Sequence, residues 1–200
     1  MTLTAALLVG GLSRRMGVDK ATLPCGDGMP LWRRQWALFD ALKPAARIIS
    51  GREKPCWCPP EIEVVCDESP SRGPLSGLHA LFKSASTTHL LVLAVDLPCM
   101  TADHLVWLRD HVTPACGVMP WVNGGLEPLC AIYPATRAVA EMAARQLAGE
   151  NFSLRTFAGG LISQGLLRKV SVPSGEWRLY QNTNTPGEFA AAVRSAGSLL

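Results

Sequence analysis

Leu3-Thr4-Ala5-Ala6-Leu7-Leu8-Val9, followed at once by Gly10-Gly11-Leu12-Ser13-Arg14-Arg15-Met16-Gly17-Val18-Asp19-Lys20, is the stretch that decides how this chain is read. The first seven residues are dominated by apolar side chains and predict a buried strand. The loop that follows is built to hold phosphate. Gly10, Gly11 and Gly17 carry no Cβ, so the backbone can turn through positive φ and bring several N–H groups to one anion. Arg14, Arg15 and Lys20 add positive charge around it, which points to a nucleoside triphosphate. Two common phosphate loops are excluded by spacing. Lys20 is followed by Ala21, not by the hydroxyl residue of a Walker A loop, and the adjacent Gly10-Gly11 pair breaks the G-x-G-x-x-G pattern of a dinucleotide fold.

Working outward, apolar segments at 3–9, 47–50, 61–66, 90–95, 118–122 and 129–133 read as strands. Helical periodicity covers 29–42, 75–84, 102–112, 136–147 and 186–196. His89 to Val95 is apolar without alternation, as expected of a central strand covered on both faces. The alternation of strands and helices predicts an α/β fold, a doubly wound and mostly parallel sheet with helices on both faces. With 48% hydrophobic residues and no long linker, residues 1–200 read as one domain.

The net charge of +3 is too small, and its basic residues too dispersed, to indicate nucleic acid. The N-terminal apolar run precedes Arg14-Arg15, the reverse of a secretory signal, and nothing else approaches a membrane span. A cytoplasmic protein is expected. Seven cysteines, without paired C-x-x-C spacing, read as free thiols, five of them as small hydrophobes in or beside apolar segments.

Asp96 follows the central strand directly, at the strand end where open α/β sheets bind ligands. Thr101 serves as cap for the next helix, so Asp96 has no capping role there and can hold Mg²⁺ bridged to phosphate oxygens. Val64-Val65-Cys66-Asp67 likewise ends on an acid. It is followed by Gly73-Pro74-Leu75-Ser76-Gly77, a turn that opens a helix whose backbone N–H groups around Ser76 and Gly77 face the same crevice. Thr185, Pro186 and Glu188 form a capping box, which leaves Asn182 and Asn184 unexplained by capping. His79, His89, His104 and His111 have no evident catalytic partner and read as surface or helix-end residues.

Residues 8–20 resemble the signature L-x-G-G-x-S-x-R-M-G-x-D-K of nucleotidyltransferases with an NDP-sugar-pyrophosphorylase-like fold, and most resemble the molybdenum cofactor guanylyltransferases. Ala94-Val95-Asp96-Leu97-Pro98, the Gly73–Gly77 segment, Glu127-Pro128-Leu129-Cys130-Ala131-Ile132-Tyr133 and Asn182-Thr183-Asn184-Thr185-Pro186 carry the resemblance through the chain. It implies a Rossmann-like nucleotidyltransferase fold and transfer of GMP from GTP to molybdopterin. The nucleotide would be bound by Leu8, Val9, Gly10, Gly11, Gly17, Lys20, Asp67, Pro74, Leu75, Ser76 and Gly77, and the acceptor by Asn182 and Asn184. Lys20, Arg15 and Asp96 would be the catalytic residues, with Mg²⁺ on Asp96. Molybdoenzyme chaperones or other cofactor-biosynthesis proteins are the further partners it admits, with no nucleic acid or membrane among them. Ser50-Gly51-Arg52 lacks an Asn common in the family, and Glu127 stands where a His is often found. Leu8-Val9-Gly10-Gly11 and Pro74-Leu75-Ser76-Gly77 each differ by one small residue from the guanine-using form, which favours GTP. The alternatives are a CTP-dependent molybdopterin cytidylyltransferase, a sugar-phosphate-type nucleotidyltransferase of the same fold, and a non-catalytic nucleotide-binding regulator.

Overall fold

The computed structural model describes residues 1–9, 19–68, 70–183 and 185–197. Its centre is β4 (His89–Ala94), whose six residues are all buried. Leu91 and Leu93 face one hydrophobic layer and Leu90 and Val92 the other, which is why the strand carries no polar alternation. Around it lie β1 (Leu3–Leu8), β2 (Ala46–Gly51), β3 (Glu63–Cys66), β5 (Gly117–Val122), β6 (Gly125–Leu126), β7 (Cys130–Pro134) and β8 (Leu167–Ser171). The sheet order is β3-β2-β1-β4-β7-β5-β6, with β8 also paired to β5.

From β3 to β4 every pairing is parallel, and β8 runs parallel to β5. On the other side of β4 the sheet turns over: β7 runs antiparallel to both β4 and β5. The reason lies in the connection. Only residues 123–129 separate β5 from β7, too few for the crossover that parallel strands need. Within them Asn123 and Gly124 both take positive φ, 44° and 80°, as a two-residue hairpin turn requires, and pair Val122 with Gly125.

Helices α2 (Pro74–Ser84), α4 (Arg137–Ala148) and α5 (Leu154–Ser163) cover one face, where Leu75, Leu78, Leu81, Val139, Phe157 and Leu161 meet Val92 and Tyr133. Helices α1 (Leu31–Leu38), α3 (Ala102–Asp110) and α6 (Pro186–Gly197) cover the other, where Leu31, Met100, Leu105, Leu108 and Phe189 meet Leu7 and Leu93. Each fully buried leucine contributes about 1.5–3 kcal/mol. The helix expected over 29–42 starts at Leu31 and tightens into a 3₁₀ turn, Phe39–Leu42, ended by Lys43 at φ 48°. The segment 136–147 is helical from Arg137, with Thr136 accepting from the Val139 amide. The capping box before α6 is reciprocal: Glu188 N–H donates to Thr185 Oγ1 and Thr185 N–H to Glu188 Oε2, both at 3.2 Å. Helix α5 and strand β8 were not anticipated from the sequence; Gly159-Gly160 lowers the helix propensity of the first, which nonetheless runs unbroken, and Arg168-Lys169 is exposed on the second.

Candidate functional site

A cavity of about 250 Å³ opens at the carboxyl ends of the parallel strands. Leu8 and Val9 at the end of β1, Ser50, Gly51 and Arg52 at the end of β2, Asp67 just after β3, and Ala94, Val95 and Asp96 at the end of β4 line it. The ladder continues past the strand ends, with Val9 N–H donating to Ser50 O and Val95 N–H to Leu8 O, so the first residues of the loops are fixed by the sheet.

Asp96 and Lys20 meet in this cleft, with Lys20 Nζ 3.9 Å from Asp96 Oδ2. Lys20 Nζ also donates to the Thr183 carbonyl at 2.7 Å, while Thr183 N–H donates to the Asp96 carbonyl at 3.2 Å. The segment before α6 therefore closes over the same pair. Burial pushes the Asp96 carboxyl above its ordinary range, against the opposing pull of Lys20. A carboxylate so placed gains from a further cation. Asp19 is a cleft residue that the sequence reading passed over: its Oδ1 accepts from Ala21 N–H and its Oδ2 from the Trp57 indole at 2.7 Å. Trp57 in turn stacks on Trp32 at 4.9 Å. Lys20 thus starts from an anchored 3₁₀ turn, Lys20–Thr22, and its side chain is only 16% exposed.

On the opposite wall, Asp67 Oδ2 accepts from the Ser71 hydroxyl at 2.7 Å. Gly73, at φ 83°, takes a conformation that favours glycine and sets Pro74 at the first position of α2. A Cβ on Gly77 would lie 3.1 Å from Asp67 Oδ1 and 3.2 Å from Ser50 Oγ, so the bare backbone there lets both groups approach. Pro74 and Gly77 line the cavity. Leu75 and Ser76 do not. The Leu75 side chain is wholly buried in the core, where helical periodicity carries it, and Ser76 Oγ accepts from Arg72 N–H at 2.8 Å.

Asn182 is exposed and outside the cavity lining, while its neighbour Thr183 makes the contacts with Lys20 and Asp96. Gly10, Gly11, Arg15, Gly17 and Asn184 lie outside the described residues. Ser50, Gly51, Arg52, Ser71, Gly73 and Leu129 also line the cavity without having been assigned to it from sequence. The rule that ligands sit beyond strand carboxyl ends, applied to the strand ending at Ser50, is the signal that finds the first three. Glu127 lines a separate cleft with Arg155, Arg178, Tyr180 and Gln181, and burial raises its carboxyl pKa.

Two histidines differ from the surface reading. His89 is buried in β4, which is covered on both faces, and His104 is buried on the inner side of α3 against Glu176 and Tyr180. The seven cysteines are free; Cys25, Cys58, Cys99 and Cys130 are buried, whereas Cys66 is exposed at the end of its strand. Among the described residues no group of three or more His, Cys, Asp or Glu side chains could hold a metal ion. One carboxylate in such a cleft still fits Mg²⁺, which is commonly held by one or two carboxylates and completed by substrate phosphates and water.

The MobA-like NTP transferase domain family matches residues 5–159, the span from the first strand through the cleft to α5. The chain belongs to this family. A relative from Opitutus terrae, named as a probable molybdenum cofactor guanylyltransferase, is 36% identical over 92% of this chain and 91% of its own length. In fold the family member resembles molybdopterin-guanine dinucleotide biosynthesis protein A from Archaeoglobus fulgidus, with a TM-score of 0.70 at 20% identity over 98% of this chain and 99% of that one. It also resembles 2-C-methyl-D-erythritol 4-phosphate cytidylyltransferase from Thermus thermophilus, with a TM-score of 0.70 at 15% identity over 98% and 100%. Equal likeness to two enzymes with different substrates shows the nucleotidyltransferase fold and leaves the substrate to the residues.

Proposed function

We propose that this nucleotidyltransferase, acting as a single domain, transfers GMP from GTP to the terminal phosphate of molybdopterin. The observation that carries the reading is the Lys20–Asp96 pair, set in a cleft with Asp67 and the start of α2 on its far wall. The guanylyltransferase name of the Opitutus terrae relative supports the substrate pair. An acceptor phosphate oxygen attacks the α-phosphorus of GTP in line, forming the new P–O bond as the bond to pyrophosphate breaks. No protein nucleophile is required, so the chain's work is positioning and charge neutralisation.

Each residue then has a physical task. Lys20, held by Thr183 on one side and Asp96 on the other, neutralises charge that develops on the transferring and leaving phosphates, with Arg15 assigned the same role. Gly10, Gly11 and Gly17 are assigned to the phosphates. Asp96 would hold Mg²⁺, which supplies charge neutralisation and orientation at the triphosphate. Asp67 suits guanine in particular: an ionised carboxylate only accepts, and guanine offers N1–H and N2–H side by side, whereas cytosine sets a donor beside an acceptor. Asn182 and Asn184 are assigned to the acceptor. The protein would work in the cytoplasm; no helix of the described residues is long and apolar enough to cross a membrane.

Thermal denaturation with GTP, CTP, ATP and UTP, each with Mg²⁺, tests the base. GTP should stabilise most, since ligand at about 100 times its Kd adds about 2.7 kcal/mol. A shift from CTP equal to or larger than that from GTP refutes the guanylyl reading. Formation of the guanine dinucleotide and pyrophosphate from GTP and molybdopterin tests the reaction itself.

A further inference from the structure

We propose that His104 is a positioning residue for the Lys20–Asp96 pair, acting through the segment 176–183; the proposal rests on that cleft being the site of nucleotidyl transfer. Both nitrogens of its buried ring are engaged, Nδ1 with Glu176 Oε2 at 2.8 Å and Nε2 with Tyr180 Oη at 2.7 Å. The ring also stacks on Trp107 at 5.1 Å. An apolar residue would fill this place in the first turn of α3 without needing partners from the far end of the chain.

The polar ring ties together the two backbone segments that border the pair. On one side the chain runs from Asp96 to Thr101, which caps α3, and on to His104. On the other it runs from Glu176 and Tyr180 to Thr183. The far ends of these segments meet again, because Thr183 N–H donates to the Asp96 carbonyl and Thr183 O accepts from Lys20 Nζ. His104, Tyr180, Thr183 and Asp96 therefore close a circuit. The three peptide steps from Tyr180 to Thr183 span at most about 11 Å, so a displaced Tyr180 has little slack to absorb before the Thr183 carbonyl moves. Tyr180 also lies beside Cys130 of β7, which sets this end of the circuit against the sheet.

In the neutral ring, Nδ1–H donates to the Glu176 carboxylate and Nε2 accepts the Tyr180 hydroxyl. Burial lowers the His104 pKa and favours this form, although the adjacent Glu176 opposes the shift. The arrangement needs an acceptor at 176 and a hydroxyl at 180, not a negative charge as such. That requirement separates clasp from ion pair.

The test compares His104→Phe, Glu176→Ala, Glu176→Gln and Tyr180→Phe by hydrogen exchange at the Thr183 amide and by steady-state GMP transfer. His104→Phe, Glu176→Ala and Tyr180→Phe should speed Thr183 exchange by about tenfold and leave the Ala94 amide unchanged. In the same variants kcat should fall about 10- to 100-fold, with a far smaller change in the KM for GTP. Glu176→Gln keeps the acceptor oxygen and should restore both readouts to near wild type. Should His104→Phe fail to fold, Tyr180→Phe and the two Glu176 variants carry the comparison. Unchanged Thr183 exchange and kcat in folded variants overturns the proposal, as does a kcat loss that merely follows the folded fraction. If the wild-type protein transferred no GMP, the reading of the cleft would fall, and a loosened Thr183 amide would still establish the clasp.

Discussion

Replacing Lys20 by alanine separates catalysis from folding more sharply than any other single change in the cleft. The ammonium donates to the Thr183 carbonyl and sits 3.9 Å from Asp96. A hydrogen bond to a charged group contributes about 1.5–3 kcal/mol. Part of that is recovered here, because the cleft is open to water and lets the freed carbonyl be hydrated. A stability loss of about 1–2 kcal/mol is therefore expected, against a typical total of about 5–15 kcal/mol, so the variant stays folded. The transition state loses more. A preorganised donor aimed at developing phosphate charge is worth about 10²- to 10³-fold in turnover, or about 2.7–4 kcal/mol. Urea unfolding of the variant, read beside its rate of GMP transfer, supplies both numbers from one preparation. If turnover fell only in proportion to lost folded protein, Lys20 would be a structural clamp on the Thr183 segment, and the phosphate-binding role would be wrong.

Asp96→Asn keeps shape and one acceptor oxygen but loses the charge a hard divalent ion needs; calorimetry should show GTP affinity that no longer responds to Mg²⁺, and an undiminished response would pass the metal role to Asp67. Gly77→Ala should weaken GTP binding by about tenfold, because its Cβ would sit 3.1 Å from Asp67 Oδ1 and 3.2 Å from Ser50 Oγ and must displace one of them; equal GTP titrations for wild type and variant would contradict the placement of Asp67 in the site. The raised Asp96 carboxyl gives the free protein a pH signature: the folded state binds that proton more tightly than the unfolded chain, so stability declines as pH climbs from its ordinary value of 3.8 through the raised folded-state value. Chemical denaturation across this window should show the decline in wild type and a shallower one in Asp96→Asn; identical slopes would mean that Asp96 is not held in an unfavourable charged state.

The sequence disclosed the middle of the parallel half because β1 and β4 are largely buried on both faces, and helices of clear period follow β1 and precede β4. His89–Ala94 is the plainest case, since burial on both sides removes any reason for polar alternation. It disclosed less beyond β4. The antiparallel course of β7 follows from the Asn123-Gly124 turn, a local signal legible in the chain but not weighed against the general expectation of parallel strands. Strand β8 is a different matter. Its side chains are largely exposed, so no hydrophobic pattern marks it, and only pairing with β5 creates it.

The site was legible to the degree that topology brings strand ends together. β1 pairs with β2 on one side and β4 on the other, so the chain passes outward to β3 and returns across β1 before laying down β4. The boundary between β1 and β4 is thus a switch point, where a crevice opens beyond the carboxyl ends. The register puts Leu8 beside Ala94, and from these neighbours spring the glycine-rich loop and Asp96. Two motifs more than seventy residues apart in sequence are adjacent for that reason. What completes the site has no such rule behind it. Thr183 acts through its backbone, which no side-chain motif announces, and His104 takes its meaning from Glu176 and Tyr180, partners 72 and 76 residues away. Residues that act at strand ends can be read from a chain's pattern, whereas residues that hold one loop against another become visible only when both loops have been placed.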